Sequence, residues 1–164
     1  MRISLIGGII VVILLAVSQI GSSSSSGGLL WASTDIKCLP DGHQNLAQHI
    51  HAKLTIVVDG VPELIPSSIG DTPVCMAEVH THDASGSIHA ESIEDKKFML
   101  KDFFSVWGKN VARDGYALTA SVAGAAVDTP DQIEIEDGKD VVFVYTKNEK
   151  VLVPEELGVE DQDS

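Results

Sequence analysis

The chain has few cations. Eleven Lys and Arg stand against 24 Asp and Glu in 164 residues, a formal charge of −13 and a pI near 4.6. A duplex binder needs a cationic face to release counterions, so the balance argues against nucleic acid as a partner. The same shortage argues against docking on an anionic lipid surface. No Asn-x-Ser/Thr sequence occurs, so N-glycosylation is not indicated. The glycine-rich phosphate loops of Walker and dinucleotide-binding proteins are missing. So is the Gly-x-Ser-x-Gly elbow of serine hydrolases, and Ser85 lies in a turn too close to any His and Asp partners. Tyr and Trp number two each, whereas His numbers six.

What is present is unevenly distributed. The length suits one domain, and an apolar fraction of 44% suffices for a packed core. Much of that apolar content precedes the domain. After Met1-Arg2, Ile3–Ile20 carries no charge. At 1.5 Å per residue it reaches roughly 27 Å, enough for a thin hydrocarbon core. Residues 1–20 therefore read as a signal anchor, or as a signal peptide cleaved near Ala16-Val17-Ser18. No Cys follows closely, so a lipoprotein anchor is not indicated. Arg2 is the only cation before Lys37, which keeps the N-terminus in the cytoplasm and sends the rest across. The expectation is a single-pass protein with its domain outside the cell membrane, or a secreted one if the segment is removed. Residues 21–33 form a linker that begins G-S-S-S-S-S-G-G and has no reason to fold. Residues 34–154 are expected to form an extracytoplasmic β domain, and residues 155–164 an acidic tail.

Cys38 and Cys75 are the only cysteines. Outside the cytoplasm an even count implies a disulfide. A metal thiolate is the competing reading, because Cys75-x4-His80 is similar to the Cys–His stretch of a blue-copper loop. The axial Met of such a loop is missing, the next Met being Met99.

The domain carries an internal repeat. Leu54-Thr55-Ile56-Val57-Val58-Asp59-Gly60, then Pro66 and Ile69, returns 64 residues later as Leu118-Thr119-Ala120-Ser121-Val122-Ala123-Gly124, then Pro130 and Ile133. Each copy reads as strand, tight turn at the Gly, and strand. The same offset lays Ala77–Thr81 on Val141–Tyr145, which predicts a third strand in each unit. Between the copies, Met99, Leu100, Phe103, Phe104 and Trp107 fall at helical spacings, and Gly108 is a natural stop. The fold class expected is mainly β (α+β): a small antiparallel sandwich or open barrel with a pseudo-repeat and one covering helix.

All six His lie between residues 43 and 89. Successive side chains of a strand point to opposite faces. From Gln48 to Val58 this sets Ile50, Ala52, Leu54, Ile56 and Val58 on one face and His49, His51 and Lys53 on the other. His80 and His82 likewise share a face, as do His89 and Glu91. Imidazoles two residues apart on a strand can converge on one ion at about 2.0–2.1 Å from each nitrogen. Neutral imidazole suits copper or zinc, and a carboxylate can complete the shell or orient a His from behind. The candidate ligands are His49, His51, His80, His82, His89 and Glu91, with Asp83 as an outer partner. His43 falls outside the strand pattern and reads as a loop residue. Asp83–Ser87 reads as a turn that folds His89 back toward His80 and His82.

Four blocks carry a resemblance. They are His49-x-His51-x2-Leu54; Gly60-x5-Pro66-x3-Gly70; His80-Thr81-His82-Asp83-x-Ser85-Gly86-x-Ile88-His89-x-Glu91-Ser92; and Phe98-x-Leu100-x2-Phe103-Phe104-x2-Trp107-Gly108. Together, over residues 38–145, they resemble a set of uncharacterised prokaryotic His-rich domains that are membrane-anchored or secreted. That resemblance implies an exported location and no particular activity. Cupins also set His-x-His on a β-barrel, but their first motif adds a Glu shortly after the second His, and neither Lys53–Thr55 nor Ser85–Ser87 supplies one. The function expected is a membrane-tethered copper- or zinc-binding domain. The alternative is a structural module that holds a protein partner at the membrane surface. A metalloenzyme ranks third, since no general base or substrate site can be named.

Overall fold

The computed structural model describes residues 29–149. The apolar segment 1–20, most of the linker 21–33 and the tail 155–164 lie outside the described residues. Among the described residues no helix is long and apolar enough to cross a membrane.

The alternation in the sequence produces the longest strand. In β1 (Gln48–Val58), Ala52, Leu54 and Ile56 are buried, while His49, His51, Lys53 and Thr55 are exposed. There follow β2 (Val61–Glu63), β3 (Asp71–Thr72), β4 (Cys75–Met76), β5 (Val79–His80) and β6 (Ser87–Ser92). Helix α1 (Leu100–Trp107) precedes β7 (Tyr116–Val122), β8 (Ala125–Val127), a 3-10 turn at Pro130–Gln132 and β9 (Asp140–Lys147).

The fold is mainly β, but it is neither of the two architectures expected. Seven strands make one mixed sheet in the order β5-β6-β1-β9-β7-β8, with β2 also paired to β1; β3 and β4 make a small second sheet. The reason is the placement of β9, which inserts between the two repeat copies. It runs parallel to β1, with Leu54 opposite Val141, and antiparallel to β7, with Leu118 opposite Tyr145. One strand thus joins both copies in a single layer.

The repeat is real at the level of the hairpins. Asp59-Gly60 and Ala123-Gly124 have φ of +50° and +82°, and of +48° and +83°. Both are two-residue turns with positive φ at each position, the geometry that matches strand twist and favours Gly second. The correspondence stops there. The partner of β9 under the 64-residue offset is β5, which sits at the sheet edge and pairs with β6 rather than β1.

Helix α1 covers one face of the sheet. Its Leu100, Phe103, Phe104 and Val106 are buried with Ile56, Val79, Ile88, Ala90, Phe143 and Tyr145. Phe104 stacks on Phe143 with ring centroids 5.8 Å apart. Fully burying such a side chain contributes about 1.5–3 kcal/mol. The Asp102 carboxylate accepts the Met99 N–H (2.8 Å) at the start of the helix. At its end Gly108, with φ +72°, lets the Gly108 and Lys109 N–H groups reach the Ser105 and Phe104 carbonyls. Cys38 and Cys75 form a disulfide with Cα atoms 5.2 Å apart. It ties the chain ahead of β1 to β4, and Cys38 also bridges to Ala77, just before β5.

Candidate metal centre

The face of the sheet opposite α1 carries the histidines. Three adjacent strands supply them, and the register sets them side by side. His80 on β5 is opposite His89 on β6, and His89 is opposite His51 on β1. One step along, Glu91 on β6 is opposite His49 on β1. Directly opposed side chains lie within reach of each other, so the pairing converts three short motifs into one patch.

Two turns complete it. His82 follows β5 and points back, its Nε2 3.1 Å from the Nε2 of His80. The chain then reverses through Asp83–Gly86. The Asp83 carboxylate accepts the Ser85 N–H (2.8 Å), and the Ser85 hydroxyl first and this N–H second hold its pKa below the ordinary carboxylate value. Asp83 therefore closes the turn and stands outside the cluster. Gly86, at φ +83°, lies against the Leu54 carbonyl, and a Cβ there would collide with that oxygen. The second turn, Asp41–Gln44, brings in His43. Its Nδ1 lies 2.7 Å from Glu91 Oε2. His43 is a loop residue, yet it belongs to the cluster, contrary to its place in the sequence pattern. A turn has no periodicity that could have pointed to it.

Glu91 is the centre of the arrangement. Its side chain is fully buried. Oε1 lies 3.0 Å from His49 Nε2, 3.6 Å from His89 Nδ1 and 4.0 Å from His80 Nε2. None of these approaches has hydrogen-bond geometry, and both Oε1 and His89 Nδ1 are buried without a hydrogen-bond partner. Leaving a buried charged oxygen unsatisfied is costly, and native structures rarely do so. The other buried glutamate shows what satisfaction looks like here. Glu78 accepts from Ser92 Oγ (3.0 Å), the Lys37 N–H (2.9 Å) and Lys96 Nζ (2.5 Å). Glu91 has no cationic or hydroxyl partner among the described residues, only imidazoles.

Two of those imidazoles, His89 and His80, are held in the form that binds metal. Burial, helped by the neighbouring His80, His82 and His51, pushes the His89 pKa down to about 4 against the pull of Glu91. Burial also lowers that of His80. Both rings are therefore neutral at physiological pH. His80 donates its Nδ1–H to the Ala77 carbonyl (2.8 Å), which fixes the tautomer and leaves the Nε2 lone pair facing His82. Two nitrogens bound tetrahedrally to one ion at about 2.05 Å stand about 3.3 Å apart, close to the observed separation of these two Nε2 atoms.

The donors fall into two groups. His43, His80, His82 and Glu91 each offer an atom within 4.8 Å of the others, and so do His49, His51 and His89. All five histidines singled out in the sequence are present, together with Glu91 and the added His43. The backbone carbonyl of Ala77 is a further functional group that no sequence pattern marks. The His51 strand position is supported from the other side by the loop before β9. There the Asp137 carboxylate accepts the His51 N–H (3.0 Å) and the His51 carbonyl accepts the Gly138 N–H (2.8 Å). The clusters could hold a metal ion.

Comparison with protein-family models, with curated proteins and with solved structures finds no match to this chain. The functional reading therefore rests on the site itself.

Proposed function

We propose that the domain binds copper or zinc through its clustered histidines and Glu91, and buffers, carries or delivers that ion. One observation carries the reading: a fully buried carboxylate oxygen with no hydrogen-bond partner, facing the ring nitrogens of His49, His89 and His80. A cation there satisfies the orphaned oxygen and uses the lone pairs of the neutral His80 and His89 rings. Imidazole-rich sets with a carboxylate suit first-row ions, and thiolate ligation is absent because both cysteines are in the disulfide.

The proposed setting is outside the cytoplasm, with residues 1–20 as membrane anchor or export signal and the linker giving the domain reach. The uncharged run Ile3–Ile20 and the persistence of a disulfide support it. The test is elemental analysis of the full chain purified from its own membranes without chelators. Retained copper or zinc, at one equivalent or more, supports the reading. Protein free of both, whose thermal midpoint moves with neither EDTA nor added Cu(II) or Zn(II), contradicts it.

A further inference from the structure

A single ion does not account for the donors. Four ligands complete a tetrahedral site. Seven side chains converge here, six of them His, and they divide into two groups that share no residue. Glu91 belongs to the first group by proximity, yet its two oxygens face different ways. Oε2 is 2.7 Å from His43 Nδ1, in the first group. Oε1 is 3.0 Å from His49 Nε2 and 3.6 Å from His89 Nδ1, both in the second, and farther, 4.0 Å, from His80 Nε2 in the first. Among the described residues the second group has no anionic donor of its own as near as Glu91; Asp137 Oδ1 is 3.9 Å from His51 Nδ1 and is turned to the backbone of β1.

Resting on the metal-binding reading, we propose that the site is dinuclear. Glu91 bridges two first-row transition-metal ions, Oε2 to an inner ion held by His43, His80 and His82, and Oε1 to an outer ion held by His49, His51 and His89. Carboxylate-bridged pairs of this kind stand about 3.5–4 Å apart. Each position mixes buried and exposed donors. The inner one joins the fully buried His80 and Glu91 to the exposed His43 and His82, and the outer one joins the half-exposed His49 and His51 to the more buried His89. Both ions are thus open to exchange on one side. The bridging role also gives a reason for a lone buried carboxylate amid six imidazoles: it supplies negative charge to both ions at once.

The test titrates Cu(II) into the full chain in detergent after EDTA treatment and dialysis, with bound copper and the electron paramagnetic resonance signal both recorded. The expected result is two equivalents bound. The signal grows through the first and then broadens and loses intensity as the second couples to it. His51→Ala removes an outer ligand from an exposed position and is expected to bind one equivalent with an uncoupled signal. His82→Ala, from the inner group, is expected to leave one as well. Glu91→Gln is expected to abolish the coupling; circular dichroism checks its fold, and His51→Ala decides the matter if that variant does not fold. One equivalent in the parent protein, or two whose signals simply add, overturns the dinuclear site and leaves metal binding standing. No bound Cu(II) at all overturns both.

Discussion

The Nε2 atoms of His80 and His82 stand 3.1 Å apart, and the Nδ1–H of His80 is committed to the Ala77 carbonyl. Neither ring is placed there by the core, which lies on the other face of the sheet. Replacing both with Ala removes two ligands; because His80 is fully buried and bonded to the Ala77 carbonyl, circular dichroism checks the fold of the variant. Loss of an outer-shell partner costs about 10–100-fold in metal affinity, so loss of two ligands costs at least about 100-fold. Competition against a chromophoric chelator measures this directly. Unchanged affinity in the double variant would place the ion elsewhere.

Metal binding to the folded state alone adds stability by mass action. At a free ion concentration of a hundred times Kd the gain is about 2.7 kcal/mol. The thermal midpoint of the EDTA-treated protein is expected to rise on adding Zn(II) and to fall again on chelation. A midpoint indifferent to both treatments counts against the site.

The metal-free protein is expected to lose stability in mildly acidic solution. His89 has a folded pKa of about 4 against an ordinary 6.5, with burial as the main cause and His80, His82 and His51 adding to it. Between those values the unfolded chain takes up a proton that the fold refuses. Stability from this group is therefore full above pH 6.5 and is lost as pH falls toward about 4. Urea midpoints between pH 7 and 4.5 follow the loss, and His89→Gln is expected to flatten it. An identical slope in the variant would assign the pH dependence to other groups.

Reduction of the disulfide is expected to act on the site as well as on stability. The bond closes 37 residues, and the chain-entropy model assigns about 4 kcal/mol to such a loop. Cys38 also pairs with Ala77, whose carbonyl orients His80. The pair Cys38→Ala and Cys75→Ala is expected to lower the urea midpoint and to weaken metal affinity together. Loss of stability with unaltered affinity would remove the link to His80.

Gly86→Ala tests the turn that folds β6 back beside β5. The position has φ +83°, and a Cβ meets the Leu54 carbonyl oxygen. Left-handed backbone alone costs an L-residue about 1–2 kcal/mol, and the collision adds to it. The expected outcome is a destabilisation of more than about 2 kcal/mol with impaired metal retention.

The parts of this fold that repeat locally were legible in the sequence. The alternation around Ala52, Leu54 and Ile56, the stripe of Leu100, Phe103 and Phe104, and the paired turns at Gly60 and Gly124 follow from short-range periodicity and turn chemistry. The mixed sheet was not legible. Whether β9 closes a second layer or slips between β1 and β7 depends on long-range pairing, which no local pattern records. The candidate site divides in the same way. That His49 and His51 share a face can be read from one strand. That His51 meets His89 and His49 meets Glu91 depends on the register between strands. His43 reaches Glu91 from a turn, and only its position near the other five histidines in the chain hinted at it.

Anomalous diffraction from crystals of the Zn(II)-loaded protein, recorded on both sides of the zinc edge, tests the central claim most directly. The account predicts a peak about 2.0–2.2 Å from His80 Nε2, His82 Nε2 and a Glu91 carboxylate oxygen. A peak only at surface carboxylates, with the His80, His82 and Glu91 positions empty, would contradict it.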